Sequence, residues 1–423
     1  QEEANARRMA LIPGLLEDVA GLLQEHCDGS AQINALEVLE SLASEPSNRL
    51  LLFQNPRLVD ALRKGVRWDD AGVLRRVVLL VRNLVQEPTV ASEVGKDHAI
   101  VERLVVALGN EASIIQAPAA EALDGIVRAK DESDDFFRFP GLVPGLVSNL
   151  RSADPDTRAS SALAIGSLAS SLADDDLIEL CRDPVLAPSL VTLLRGEDPR
   201  GRVAATRALI ALARADATAE HLLSVDGLVG GLVGGTADED PEVRHSASQA
   251  LCDLARAPAS AATLCQAPGL RSSAVRLLAD DDARVREAAT NLLRRLAIPP
   301  ANRTDLFHEP GLADAVLARL QDGDSRIQDH AARALELLGE SNPFLREGLR
   351  ERGAVRCLAE RVLQPDGRPR EAFARALWVL VDGHAESIAL VKGLSVEALV
   401  AHWRDGEVTE AVGSTRVRGL PRG

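Results

Sequence analysis

An aliphatic residue returns along this chain with a fixed step: Leu39, Val81, Leu123, Ile165, Leu209, Leu251, Leu293, Leu335 and Leu377. Three residues beyond each stands a second: Leu42, Leu84, Ile126, Leu168, Leu212, Leu254, Leu296, Leu338 and Leu380. The residue just before the first member is usually alanine, as at Ala122, Ala164, Ala208, Ala250, Ala334 and Ala376. Apolar positions three and four apart form one stripe of an α-helix, and the alanines let neighbouring helices approach closely. The step is 42 residues, and once 44, so one such helix recurs in every unit of the chain.

Two further apolar segments complete each unit. One opens on a Pro-Gly or Gly-hydrophobic phrase, as in PGLLEDVAGLL, PGLVPGLVSNL, DGLVGGLVGGT, PGLRSSAVRLL, PGLADAVLARL and RGAVRCLAERV, and a proline at the first turn is pre-set for helix entry. The other is short: NRLLLFQ, DDFFRF, DDLIELC, AEHLLSV, NRTDLFHE. Pro46, Pro88, Pro258 and Pro300 lie at a fixed offset beyond the alanine–leucine helix, where they stop it. Phe136, Phe137 and Phe139 are expected in one of the short helices, plugging the space between units. No segment sustains a period of two, so no strands are predicted.

Polar positions keep the same step. An aspartate precedes the alanine–leucine helix at Asp28, Asp70, Asp154, Asp198, Asp240, Asp282, Asp324 and Asp366, with Ala112 at the missing site. There a carboxylate accepts from unpaired backbone N–H groups and faces the positive end of the helix dipole. Four residues later comes Arg158, Arg202, Arg244, Arg286 or Arg370, placed near an Asp of its own or the adjacent unit, where it staples one repeat to the next. A calcium ladder is not indicated, because no loop supplies six or more oxygen ligands.

Three helices per unit with an alanine–leucine third helix resembles the armadillo repeat family, over residues 11 to 405 as nine full units and a partial tenth; the DPxVR phrase also resembles the related HEAT repeat. The resemblance implies an all-α, right-handed superhelical solenoid of nine to ten repeats. Its expected divisions are a cap over 1–13, an array over 14–405 with units starting near 14, 57, 99, 141, 185, 227, 269, 311, 353 and 393, and a Gly/Arg-rich tail over 406–423. It also implies that third helices line a concave surface left for partners. Importin-alpha-like and beta-catenin-like members carry there an Asn that grips the backbone of an extended peptide, often with a Trp four residues earlier. The Asn-equivalent positions here read Ser41, Asn83, Gly125, Ser167, Ala211, Asp253, Arg295, Leu337 and Val379. Only Asn83 matches, and none of the Trp-equivalent positions is Trp, so import of basic signals by that ladder is not expected.

Charge distinguishes the two halves of this surface. Glu37, Glu40, Glu121 and Asp124 come from the early units, whereas Arg207, Arg214, Arg256, Arg294, Arg295, Arg333 and Arg375 come from the later ones, with Gln249 and Asn291 beside them. In a chain of 423 residues and formal net charge −15 that basic run is unexpected, and it suggests a partner's acidic segment. Solvated helix faces paired with nearby carboxylates are the bland alternative. The same net charge argues against phosphate-driven nucleic-acid binding, and aromatics at 2% of residues argue against base-stacking platforms.

Enzyme signatures are missing: there is no Walker A phrase, GxGxxG, GxSxG or HExxH. The stretch 237–256 gathers Asp238, Glu239, Asp240, His245, Cys252 and Asp253, but His245 and Cys252 have no counterparts at their register, so no metal site is expected. His245 and His330 are expected to be exposed or in contact with loops, Asp253 and Arg256 to face the groove, and Cys252 to be partly exposed and inert. The runs of three aspartates at 174–176 and 280–282 read as solvated helix starts and loops. Five cysteines without a CxxC pair disfavour zinc fingers and a disulfide framework and fit a reducing compartment, cytoplasmic first, with nucleus or organelle open. No apolar run reaches the ~18 residues of a membrane span. The expected function is non-catalytic protein binding as a scaffold, adaptor or co-chaperone, without cofactor; a structural subunit of a large assembly is the competing reading, and oligomeric state stays open.

Overall fold

The computed structural model describes residues 2–24, 28–65, 68–129, 136–340, 342–363 and 370–393. The partial unit from 393, the tail 406–423, Asp366 and Cys27 lie outside the described residues beyond Gly393 or within the gaps, as does the side chain of Arg370. Among the described residues every regular element is helical. The chain divides into two compact units, 1–231 and 232–423.

Within each unit the repeat is a triplet. In the second it reads Pro258–Cys265, Leu270–Leu278 and Ala283–Leu296, then Pro300–His308, Leu312–Arg319 and Ser325–Glu340. The fold is thus an all-α solenoid type, built from short, middle and long helices in turn. The turn between short and middle helices needs a residue with positive φ, supplied by Gly269 at 77° and Gly311 at 79°, a region that glycine enters without a Cβ clash. Prolines expected to stop the long helix also begin the next element: Pro46, Pro88, Pro258 and Pro300 are the first residues of Pro46–Phe53, Pro88–Lys96, Pro258–Cys265 and Pro300–His308. Each drives its predecessor into extended backbone, with ψ from 116° at Glu45 to 141° at Ala257.

The two aliphatic rungs form the core. Leu39 through Leu212 in the first unit and Leu251 through Leu380 in the second are at most 3% exposed. Long helices of consecutive repeats pack side by side: Gly29–Ser44, Ala71–Leu84, Ser113–Arg128, Pro155–Ser171 and Pro199–Leu212 in the first unit, and Pro241–Leu254, Ala283–Leu296, Ser325–Glu340 and Arg370–Val381 in the second. Small residues set that approach; a Cβ added at Gly166 would lie 3.2 Å from the Cα of Ala208 on the next long helix. The helix Glu2–Ala10 is tied to the first repeat by Asn48, whose side-chain amide donates to the Ala6 carbonyl at 3.1 Å.

One short helix departs from expectation. Phe136–Arg138 is a single 3-10 turn, with Phe136 buried and the rings of Phe136 and Phe139 6.3 Å apart.

Candidate functional site

The loops ahead of the long helices hold the polar ladder. Asp70, Asp154, Asp198, Asp240, Asp282 and Asp324 each accept a backbone N–H two or three residues on, for example Glu242 at 2.9 Å and Arg284 at 2.8 Å. The arginines four residues later each give Nη1 to two carbonyls of their own loop: Arg158 to Ser152 and Ala153, Arg202 to Gly196 and Glu197, Arg244 to Asp238 and Glu239, Arg286 to Asp280 and Asp281.

Their link to the next repeat runs to an aspartate of the adjacent unit. Arg244 forks onto Asp280 (Nε–Oδ2 2.7 Å, Nη2–Oδ1 3.0 Å) and Arg286 onto Asp322 (2.8 and 3.2 Å). The partner is the carboxylate two residues before the ladder Asp, and it also accepts the ladder residue's own N–H. The Asp-x-Asp spacing at 238/240, 280/282 and 322/324 is the sequence signal that marks this second rung. Burial is the largest influence on the Asp280 and Asp322 carboxyls and would raise them; the arginine hydrogen bond, the backbone N–H and the arginine charge together hold both below the ordinary value. Asp280 is therefore a structural anion, whereas Asp174 and Asp175 are exposed at a helix start.

In the first unit the long-helix face carries paired charge. Arg76 bridges Glu37 at 3.1 Å and Glu40 at 2.9 Å, Arg82 lies 3.6 Å from Glu121, and Arg128 lies 2.9 Å from Asp124. Asn83 is buried; its Nδ2 reaches the Glu40 carbonyl at 3.5 Å and its Oδ1 accepts from Arg82. Arg207 is exposed. Arg214 donates to the Leu172 carbonyl and lies 3.9 Å from Asp174.

In the second unit the long-helix stripe runs through Gln249, Asp253 and Arg256, then Asn291, Arg294 and Arg295, then Asp329, His330 and Arg333, then Glu371 and Arg375. Asp253, expected to face the groove, is buried and accepts from Gln249 at 2.9 Å and Arg256 at 3.3 Å. Arg333 is held by Asp329 at 2.8 Å and Arg375 by Glu371. The long helix Ala283–Leu296 is different. Arg294 donates to the Asn291 side chain at 2.8 and 3.2 Å, and the Nε of Arg295 is buried with no hydrogen-bond partner. Among the described residues neither has a carboxylate within 4.0 Å.

That excess of positive charge is felt by its neighbours. Burial, and next the adjacent Arg295, lowers the Arg294 value. His330, expected to be exposed, is instead largely enclosed; burial, then Arg294, pushes it down to about 4, so the ring is neutral at physiological pH. His245 meets the Arg284 carbonyl at 3.2 Å. Cys252, expected to be partly exposed, is fully buried, and burial raises its thiol to about 12; the alanine–leucine stripe wraps it because position 252 lies next to both core rungs. Trp378, 43% exposed on Arg370–Val381, adds an aromatic to this face outside the register at which a family Trp stands.

No protein-family model and no curated protein matches the chain. Solved structures do. An engineered protein solved by the Northeast Structural Genomics Consortium is 25% identical over 95% of both chains, with a TM-score of 0.79. A designed armadillo repeat protein in complex with peptide (KR)4 is 22% identical over 56% of this chain and 99% of its own, with a TM-score of 0.52. The chain has an armadillo-like repeat fold. Among the described residues of this armadillo-like protein, no group of three or more His, Cys, Asp or Glu gathers to hold a metal, and no helix is long and apolar enough to cross a membrane.

Proposed function

We propose that this armadillo-like protein is a non-catalytic scaffold or adaptor that binds a partner protein segment, and that the long-helix face of residues 232–393 takes an acidic one. The observation that carries the reading is the Arg294–Arg295 pair. Arg256, Arg333 and Arg375 each have a carboxylate within reach on their own repeat; these two do not, and with burial they lower the proton affinity of His330. A carboxylate arriving from a partner replaces that repulsion with charge-assisted, fork-shaped hydrogen bonds. Asn291 and Gln249 supply polar contacts for an extended backbone, and Trp378 an apolar one.

The (KR)4 peptide of the designed neighbour supports the general mode, an extended charged peptide on an armadillo-type stack, with the opposite sign expected here. The early-unit carboxylates that could attract a basic peptide are already bridged by Arg76, Arg82 and Arg128.

Fluorescence anisotropy with an alternating Asp/Glu octapeptide tests the reading. Binding is expected, weakened by salt and reduced at least about tenfold by Arg294→Glu with Arg295→Glu, a loss of about 1.4 kcal/mol. Unchanged affinity in that double variant, or tighter binding of (KR)4, would contradict it.

A further inference from the structure

A second site lies in the first unit, where the arginine staple lacks its partner. Arg158 stands four residues after Asp154, the register of Arg244 and Arg286, and its Nη1 holds the loop carbonyls of Ser152 and Ala153 as theirs do. The carboxylate that clasps the outer edge of Arg244 is Asp280, and that of Arg286 is Asp322, each two residues before the next ladder Asp. For Arg158 that position is Gly196, two before Asp198. Among the described residues Arg158 has no carboxylate within 4.0 Å.

A second side chain is missing at the same place. Three residues after the ladder Asp the second unit carries Val243, Val285 and Ile327, all buried; after Asp198 the residue is Gly201, and Leu193 packs beside it, 3.2 Å from where a Cβ would stand. Arg158, Gly196, Asp198 and Gly201 line one cavity of about 690 Å3, with Val185 and Leu193 among its apolar walls. The Asp198 Oδ2 is buried there with no hydrogen-bond partner. The cavity thus offers a guanidinium edge for a carboxylate, an acceptor for an N–H, and room for a branched aliphatic group. The neighbouring Asp198 charge does not forbid an anion: Asp280 occupies the equivalent seat beside Asp282 and remains ionised below the ordinary carboxylate value.

We infer that this cavity receives the C-terminal residue of a peptide ending in an aliphatic amino acid, or an N-acyl amino acid of the same chemistry. The carboxylate meets Arg158, the last N–H meets Asp198, and the side chain lies in the cavity against Val185 and Leu193. The site is separate from the acidic-segment surface of residues 232–393 and stands or falls independently of it.

Isothermal titration with acetyl-Ala-Val as free acid, its C-terminal amide, and N-acetylvaline tests the assignment on the full chain. The acid is expected to bind and the amide to bind at least about tenfold more weakly, the loss of one charge-assisted contact. Gly196→Asp supplies an internal carboxylate and is expected to abolish acid binding, whereas Gly196→Ala, which adds only a Cβ 3.2 Å from the Leu193 carbonyl, keeps it. Arg158→Gln is expected to lose acid binding while staying folded, because Gln116 and Gln328 hold the same loop carbonyl at that register. Equal affinity for acid and amide, no binding of the acid, or full binding by folded Gly196→Asp would overturn the site. N-acetylvaline matching the dipeptide identifies an acyl amino acid as the ligand; weaker binding identifies a peptide terminus.

Discussion

Asp322 has 4% of its side chain exposed and lies against two guanidiniums, Arg286 at 2.8 Å and Arg319 at 3.0 Å. Removing it leaves Arg286 half-enclosed without its fork, a greater loss than the pair's net worth. Asp322→Ala is therefore expected to lower unfolding free energy by about 2–4 kcal/mol in chemical denaturation, with Asp322→Asn milder. Because the folded Asp322 and Asp280 values lie below the unfolded carboxylate value, their contribution is present at neutral pH and is lost as pH falls through the acid range. His330 acts over a different window. Its folded value of about 4 lies below the ordinary histidine value of 6.5, so between those limits the unfolded chain binds more protons and stability drops as pH falls from 6.5 toward 4. His330→Gln is expected to flatten that part of a thermal-midpoint-against-pH curve. Replacing Arg294 and Arg295 by Gln is expected to raise the His330 titration midpoint read by NMR. Neither midpoint nor burial was visible at the sequence level: His330 lacks a counterpart at its register, and only the packed neighbour shows that Arg294 faces it.

At the scale of the element, the long helix was legible and its polar staples only half so. Residues three and four apart wrote the core stripe directly, and Leu293, fully buried on Ala283–Leu296, is expected to cost about 2–5 kcal/mol as Leu293→Ala. Asp282 was legible as a cap because its position before the stripe dictates the acceptor role; Asp282→Ala is expected to cost about 1 kcal/mol in the same measurement. The staple from Arg244 to an aspartate of the next unit was legible, but its choice of Asp280 was not, since the pair spans 36 residues and depends on how one repeat seats on the next. Cys252 was misplaced for a related reason. Its register beside the Asn-equivalent position suggested exposure, but the next long helix covers it.

At the scale of the whole molecule, the period of 42 identified the repeat class, and the helical units and their structural neighbours agree with it. Function was less legible because a tally of arginines along the stripe does not say which are already paired. The structure divides them: Arg333 and Arg375 are engaged on their own helices, and Arg294 and Arg295 are not. An acidic segment on residues 232–393 should therefore sit over Ala283–Leu296 and reach toward His330. The most direct measurement places a photo-crosslinking residue at the centre of the Asp/Glu octapeptide and maps the adducts by mass spectrometry. The account expects adducts on the long helices Ala283–Leu296 and Ser325–Glu340, lost in the Arg294→Glu, Arg295→Glu variant; adducts confined to the short and middle helices, or unaffected by that variant, would contradict it.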